Sequence, residues 1–288
     1  LPTQPDLRLK ASDYSLALRY MLLSTLLFAW MNVSVKYLSR LPPMEIVFFR
    51  GLLSSSLTFA ALRFQGIPPW GNNKKRLIMR GVIGSVALIL FFWTLQKIPL
   101  ADAVTIQYTS PIFTTLMGVW LAGERVSAFR WFFIFLSFMG VVLIQGFDPR
   151  VSTFMLGVGL TASLFTGWAY TLVRKLTATE HPLVIVLYFP LVALPLSAVF
   201  CLFHWVTPRG MEWIHLLSVG ISTQIAQYCI TNAYQRAEVS RISPFNYLGI
   251  VYAVILGIIL FDEKLNVPTL LGIGLVLSGI FAGWKLKK

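Results

Sequence analysis

Ten runs of about 20 mostly apolar residues follow one another along this 288-residue chain, and few folds can accommodate that succession. A run of this length matches the hydrocarbon thickness of a bilayer. In lipid each backbone amide must be satisfied internally, so such runs fold as helices. They lie at 17–38, 45–64, 78–96, 102–122, 129–147, 154–175, 182–204, 212–235, 243–261 and 267–285. Hydrophobic residues make up 57% of the chain and charged residues 12%, against roughly 25% charged in a soluble domain. The expected fold is therefore all-α and integral to a membrane, with no room for a soluble domain. Residues 1–16 are polar and proline-containing, which reads as a mobile cytoplasmic tail. The first run lacks a small-residue cleavage pattern and reads as a retained helix.

The net charge is +13, which topology explains without invoking nucleic acid. Seventeen Lys and Arg residues fall in the N-terminal tail, the even-numbered connections and the C-terminal end, and six in the odd-numbered connections. Positive charge stays on the cytoplasmic side, so both termini are expected there, in the cell (inner) membrane. The bilayer is the expected partner, and the assembly is expected to be a monomer or homodimer. The GxxxG from Gly279 to Gly283 permits close helix contact within or between chains.

The chain repeats itself. Moving 139 positions on sets Gln96 on Gln235, Lys97 on Arg236, Tyr108 on Tyr247, Gly118 on Gly257 and Glu124 on Glu263. A shift of 138 sets Trp30 on Trp168. The halves are 17–147 and 154–285, each with five runs. Five is odd, so the second copy enters the bilayer from the opposite side. The result is an inverted repeat, an arrangement that places a solute site near the midplane between the copies.

Polar residues inside the runs mark candidate contacts, because lipid cannot satisfy them. Gln224, Gln227, Tyr228, Thr231, Asn232 and Gln235 form one stripe at helical spacing. Thr25, Phe28, Ala29, Asn32 and Lys36 form another, echoed at Ser163, Thr166, Gly167, Tyr170 and Arg174. Pro111 lies mid-run and deprives the carbonyl of Gln107 of its usual donor, so Gln107, Tyr108 and Thr114 could meet a polar solute. Pro190 and Pro195 mark a bent or moving helix. Trp30, Trp93 and Trp168 lie within runs, where an indole donor needs a partner.

Arg50 lies several residues inside its run, with Glu45 and Asp102 as candidate partners at the same outer level. With Lys36 it is a candidate outer gate or attractor of a substrate carboxylate. Glu124 and Glu263 end the fourth run of each half, where a carboxylate opposes the helix dipole. Each reads as a structural turn that gains from amide donors at the next helix start, near Ser127 or Asn266. Catalytic, metal and cofactor signatures are absent from the sequence. His181, His204 and His215 lie at or near run ends, and Cys201 and Cys229 sit in separate runs without ligand spacing.

The segments Phe28 to Lys36, Leu41 to Arg50, Ala101 to Arg125 and Gly140 to Leu143, with Phe261 to Lys264 and Gly272 to Gly279, resemble the EamA-type proteins of the drug/metabolite transporter superfamily. The resemblance implies a ten-helix, inverted five-plus-five transporter with a central cavity and alternating access. The expected function is transport of a small polar organic metabolite, amino-acid-like or nucleotide-related; a membrane enzyme or a sensor or assembly subunit is the alternative. Asn32, Trp93, Gln96, Gln107, Tyr108, Tyr170, Gln227, Tyr228, Asn232, Asn246 and Tyr247 are expected to line the route. Lys36, Arg50 and Asp102 are expected to gate it or pair charges. With no carboxylate near the middle of a run, exchange or uniport is expected over proton coupling.

Overall fold

The computed structural model describes residues 11–122, 150–176, 179–236, 245, 247–264 and 267–285, together with 132, 136, 139, 140 and 143. Among the described residues there are helices and turns but no strands. The helices are α1 (Ala11–Tyr37), α2 (Pro43–Phe64), α3 (Lys74–Lys97), α4 (Leu100–Gln107), α5 (Ser110–Ala122), α6 (Thr153–Leu176), α7 (Pro182–Phe203), α8 (Glu212–Arg236), α9 (Leu248–Phe261) and α10 (Val267–Lys285). Glu124, Asn246 and most of the run at 129–147 lie outside the described residues. So do the side chains of Pro111, Arg174, Thr231, Gln235 and Gly279 to Gly283.

Among the described residues, five helices are long and apolar enough to cross a membrane: Tyr14–Tyr37, Pro43–Phe64, Lys74–Lys97, Thr153–Val173 and Pro182–Phe203. The 25-residue α8 is as long, but its amide side chains lower its hydropathy. Large apolar side chains lie open on the outside, among them Leu202, Phe203 and Ile259. Exposure of this kind across many helices fits a lipid-facing surface rather than a water-facing one.

Local chemistry sets the helix ends. Proline stands in the first turn of α2 and α7, where its missing amide costs nothing and its fixed φ favours the helix. At the start of α3, Asn73 Oδ1 accepts from Arg76 N at 3.3 Å. The buried Glu180, in the turn after α6, accepts from Asn72 N and Asn73 N. A carboxylate there satisfies orphan amides and meets the positive end of the dipole.

The fourth run is broken, where Pro111 predicts a fault. α4 stops at Gln107, Tyr108 and Thr109 form a turn, and α5 resumes at Ser110. The carbonyl of Ile106 gathers three donors at the break: Thr109 N at 3.0 Å, Thr109 Oγ1 at 2.6 Å and, from α6, Ser163 Oγ at 2.8 Å. The eight residues of α4 rise about 12 Å at 1.5 Å each, so the break lies less than half of a bilayer's roughly 30 Å thickness from the start of α4. α7, by contrast, runs on through Pro190 and Pro195 as one helix.

Packing follows the repeat. α1 lies along α8 and α6 along α3; α2 faces α7, and α4 faces α9. α3 also meets α7, as α2 meets α8. Exchanging α1 with α6, α2 with α7, α3 with α8 and α4 with α9 maps this set of contacts onto itself. Small residues let α1 and α8 approach closely: Ala17, Ser24, Ala226 and Ala233 are buried, and Ser24 Oγ donates to Ala226 O at 2.9 Å. The main apolar core joins α1, α2, α3 and α4 through Val33, Ile46, Phe92 and Ile106.

Candidate functional site

The break between α4 and α5 brings polar groups to the interior. Gln107 Nε2 donates to Thr166 Oγ1 of α6 at 2.9 Å, while its buried Oε1 has no partner. Tyr108 crosses to α9, its ring centroid 5.4 Å from that of Tyr247. Tyr108 and Tyr247 are the residues the 139-position shift superposes, so repeat mates meet, their rings tilted by 56°. Gly249 makes the meeting possible, since a Cβ there would fall 3.0 Å from Tyr108 Cζ and closer still to the hydroxyl. On α1, which packs on both α4 and α9, Asn32 is buried with an unpartnered Oδ1. A buried amide oxygen without a donor is costly, and a polar solute can supply that donor.

Polar contacts tie one end of the bundle together. Lys36 Nζ, at the end of α1, lies 3.1 Å from Glu263 Oε1 and donates to Ile98 O at 2.7 Å. Glu263 also accepts from Leu100 N at 2.7 Å, and its Oε2 lies 3.5 Å from Ala101 N, both at the start of α4. Local geometry aims this carboxylate. Asp262 closes α9 in the left-handed region, with φ 50, and Glu263 N then donates to Gly257 O at 3.1 Å. The side chain lies over Gly257, where a Cβ would stand 2.5 Å from Oε2. Among the described residues the amide donors to Glu263 come from α4 in the other half; Ser127 and Asn266 lie outside the described residues.

Gln96 lies at the same end, donating to Leu38 O at 2.9 Å and Leu41 O at 3.0 Å, so its amide braces the α1–α2 turn. Lys36, Gln96, Lys97, Arg150, Phe261 and Glu263 line an open, mainly basic depression there. Nearby, the exposed Arg40 guanidinium donates to Glu212 at the start of α8. That bond holds the Arg40 pKa above its ordinary value.

Arg50 corrects an expectation. Five residues on, a helix has turned about 140° from its starting direction, so Arg50 cannot share a face with Glu45. Glu45 Oε2 instead accepts from Val206 N at 3.1 Å. Arg50 makes no ion pair with Asp102, and Lys36 belongs to Glu263. The Arg50 guanidinium instead lies 5.1 Å from the ring of Phe189, its own repeat mate under the 139-position shift. Arg80, read from the sequence only as a topology charge, turns inward to the same ring at 4.7 Å. The one signal in the sequence was its position inside the run at 78–96.

The α8 stripe divides. Gln224 meets Thr58 of α2, with Nε2 to Oγ1 at 3.2 Å. Asn232 bonds within its own helix, donating to Tyr228 O at 2.9 Å and accepting from Arg236 Nη1 at 2.6 Å. Tyr228 and Tyr170 are exposed, and Gln227 is half-buried. The indoles also part company: Trp30 donates to Ser218 at 3.1 Å, Trp93 meets Phe154, and Trp168 lies beside Phe165. The expected route residues therefore spread from Gln96 at one end to Asn232 near the other. Gln107, Tyr108 and Tyr247 form the central group. Among the described residues no cluster of His, Cys, Asp and Glu could hold a metal.

Apolar helices of membrane length around buried, half-satisfied amides define a multi-pass membrane protein with a polar interior. The model of the EamA-like transporter family matches twice, over residues 15–146 and 153–282. The chain belongs to that family, and is a transporter. It is similar to the pseudopaline exporter of Pseudomonas aeruginosa (strain UCBPP-PA14), 29% identical over 92% of this chain and 95% of that one. Human solute carrier family 35 member G1 is 27% identical over 93% of this chain and 77% of its own. A riboflavin transporter of Vibrio cholerae is 28% identical over 73% of this chain and 72% of its own. A solved crystal structure shares the fold, with TM-score 0.67, 18% identity and coverage of 94% and 99% of the two chains.

Proposed function

We propose that the protein is a secondary transporter carrying a small polar organic metabolite, amino-acid-like or nucleotide-related, across the cell (inner) membrane by alternating access. Ten spans form two inverted five-helix repeats, 17–147 and 154–285, with both termini cytoplasmic. The observation that carries this reading is the break between α4 and α5, where Tyr108 meets its repeat mate Tyr247. A discontinuous helix at a repeat interface is where such carriers bind solute. The self-mapping packing of the helices supports the repeat, and two relatives are named for cargoes, pseudopaline and riboflavin.

In the alternating cycle, Lys36, Glu263 and the start of α4 close the outer end. Opening that end separates Glu263 from Lys36 and from Leu100 N, and solute then reaches Gln107, Asn32 and the tyrosine pair. Amides and phenols orient it by hydrogen bonds, while aromatic faces cover its apolar part. Among the described residues, Glu45, Glu180, Glu212 and Glu263 sit at helix ends and Asp102 in the first turn of α4, rather than at the break. Exchange or uniport fits that placement better than proton coupling.

Purified protein in sealed proteoliposomes, offered labelled amino acids and nucleosides, tests the reading. The expected result is uptake of a chemically unchanged member of the pool, reduced at least tenfold by Gln107→Leu. Binding without flux, or recovery of an altered product, would overturn it.

A further inference from the structure

Arg50 and Arg80 are cations turned into the bundle that the route described above does not use. Arg50, on α2, is 7% exposed, and its Nε and Nη1 have no hydrogen-bond partner. The same two atoms of Arg80, on α3, are buried and unpartnered. Both guanidiniums stack near Phe189 of α7, and Arg50 also lies 5.9 Å from the ring of Phe92. One turn on from Arg50, the Ser54 hydroxyl is buried and without a partner. Val47, Arg50, Gly51, Ser54, Leu88 and Phe189 enclose a small cavity there. Arg80 climbs towards the same ring along Gly84, where a Cβ would lie 3.3 Å from Nη1.

Among the described residues no carboxylate balances these charges. Glu45, Glu180, Glu212 and Glu263 are each engaged elsewhere, and Asp102 forms no ion pair with either arginine. Among the described residues, the phenol of Tyr170 lies within electrostatic range of both guanidiniums. Two like charges in a membrane interior carry a desolvation cost that stacking on one phenylalanine does not offset. A guanidinium fork is built for a planar oxyanion, which it holds through two parallel N–H bonds.

We propose that Arg50 and Arg80, with the Ser54 hydroxyl, form a subsite for the carboxylate of an anionic cargo. The cavity beside Arg50 and Ser54 has room for about one water-sized atom, so one carboxylate oxygen enters it while the rest of the solute lies towards the interior. This narrows the cargo of the transporter reading, on which it rests, to solutes bearing a carboxylate.

Benzoate, with neutral benzamide, inorganic phosphate and chloride as the other arms, is a direct probe on the purified full chain in detergent. Thermal shift and calorimetric titration should show benzoate stabilising the parent, with benzamide, phosphate and chloride weaker. Arg50→Met and Arg80→Met should each weaken benzoate binding at least tenfold. Both should also raise the melting temperature without ligand, because each removes an unbalanced charge; a purely structural role predicts a fall. Equal response to benzamide, a preference for phosphate or chloride, or an undiminished benzoate response in either variant overturns the proposal. If the methionine variants do not fold, Arg50→Lys and Ser54→Ala decide, and unchanged benzoate affinity in both overturns it. Benzoate binding without flux of any solute would defeat the transporter reading and leave the subsite standing. Flux without benzoate binding would do the reverse.

Discussion

Glu263 holds three elements at once, and removing it should show in stability before it shows in transport. Its side chain is 6% exposed and that of its partner Lys36 16%, so solvent screens the pair little. The carboxylate accepts from Leu100 N at 2.7 Å and faces Lys36 Nζ at 3.1 Å. A hydrogen bond to a charged group contributes about 1.5–3 kcal/mol, and a well-placed charge at a helix start up to about 2 kcal/mol. One carboxylate makes both contacts, so the terms overlap, and Glu263→Ala should cost about 3 kcal/mol. At about 2–4 °C per kcal/mol, its melting temperature should fall by about 6–12 °C. Glu263→Gln keeps an acceptor for α4 and should lose about half as much. A thermal-unfolding cycle with Lys36→Met isolates the ion pair, and a coupling of about 1–2 kcal/mol is expected. A melting temperature within about 1 °C of the parent for Glu263→Ala, or additive single changes, would refute the reasoning.

Three further outcomes can be checked with the same preparation. Gly249→Ala forces the Tyr108 ring away from α9, and should cost about 1–3 kcal/mol in a thermal melt while lowering flux. Asn32→Leu should leave the melting temperature near the parent value, because its Oδ1 is already unpartnered, yet reduce uptake several-fold. Glu180→Ala strips the start of α3 of its acceptor and should destabilise by about 1–3 kcal/mol; cargo affinity, read by titration, should not change.

The sequence revealed much of this fold because the bilayer imposes one dominant requirement, a length of apolar helix. The helices at 43–64, 74–97 and 182–203 follow their runs within a few residues, and Pro111 announces the break in span four. The repeat was legible as well, since polar residues such as Tyr108 and Tyr247 recur in register. What periodicity cannot supply is the neighbour across the bundle. Lys36 and Glu263 lie at opposite ends of the chain, and only the packing of α1 on α9 joins them. The spacing of Glu45 and Arg50 carried a warning, because helical phase alone sets them apart. Arg80 was the harder case: it stands near the basic end of its span, and only the tertiary position of Phe189 shows where its side chain turns.

The central claim is that the break at Gln107 opens to each side of the membrane in turn. With Cys201→Ala and Cys229→Ala removing the two native thiols, Gln107→Cys can be labelled by a membrane-impermeant thiosulfonate. The reagent is applied to one face of oriented vesicles at a time. The account predicts labelling from both faces, with a transported solute slowing both. Labelling from one face alone, whatever solute is present, would contradict it.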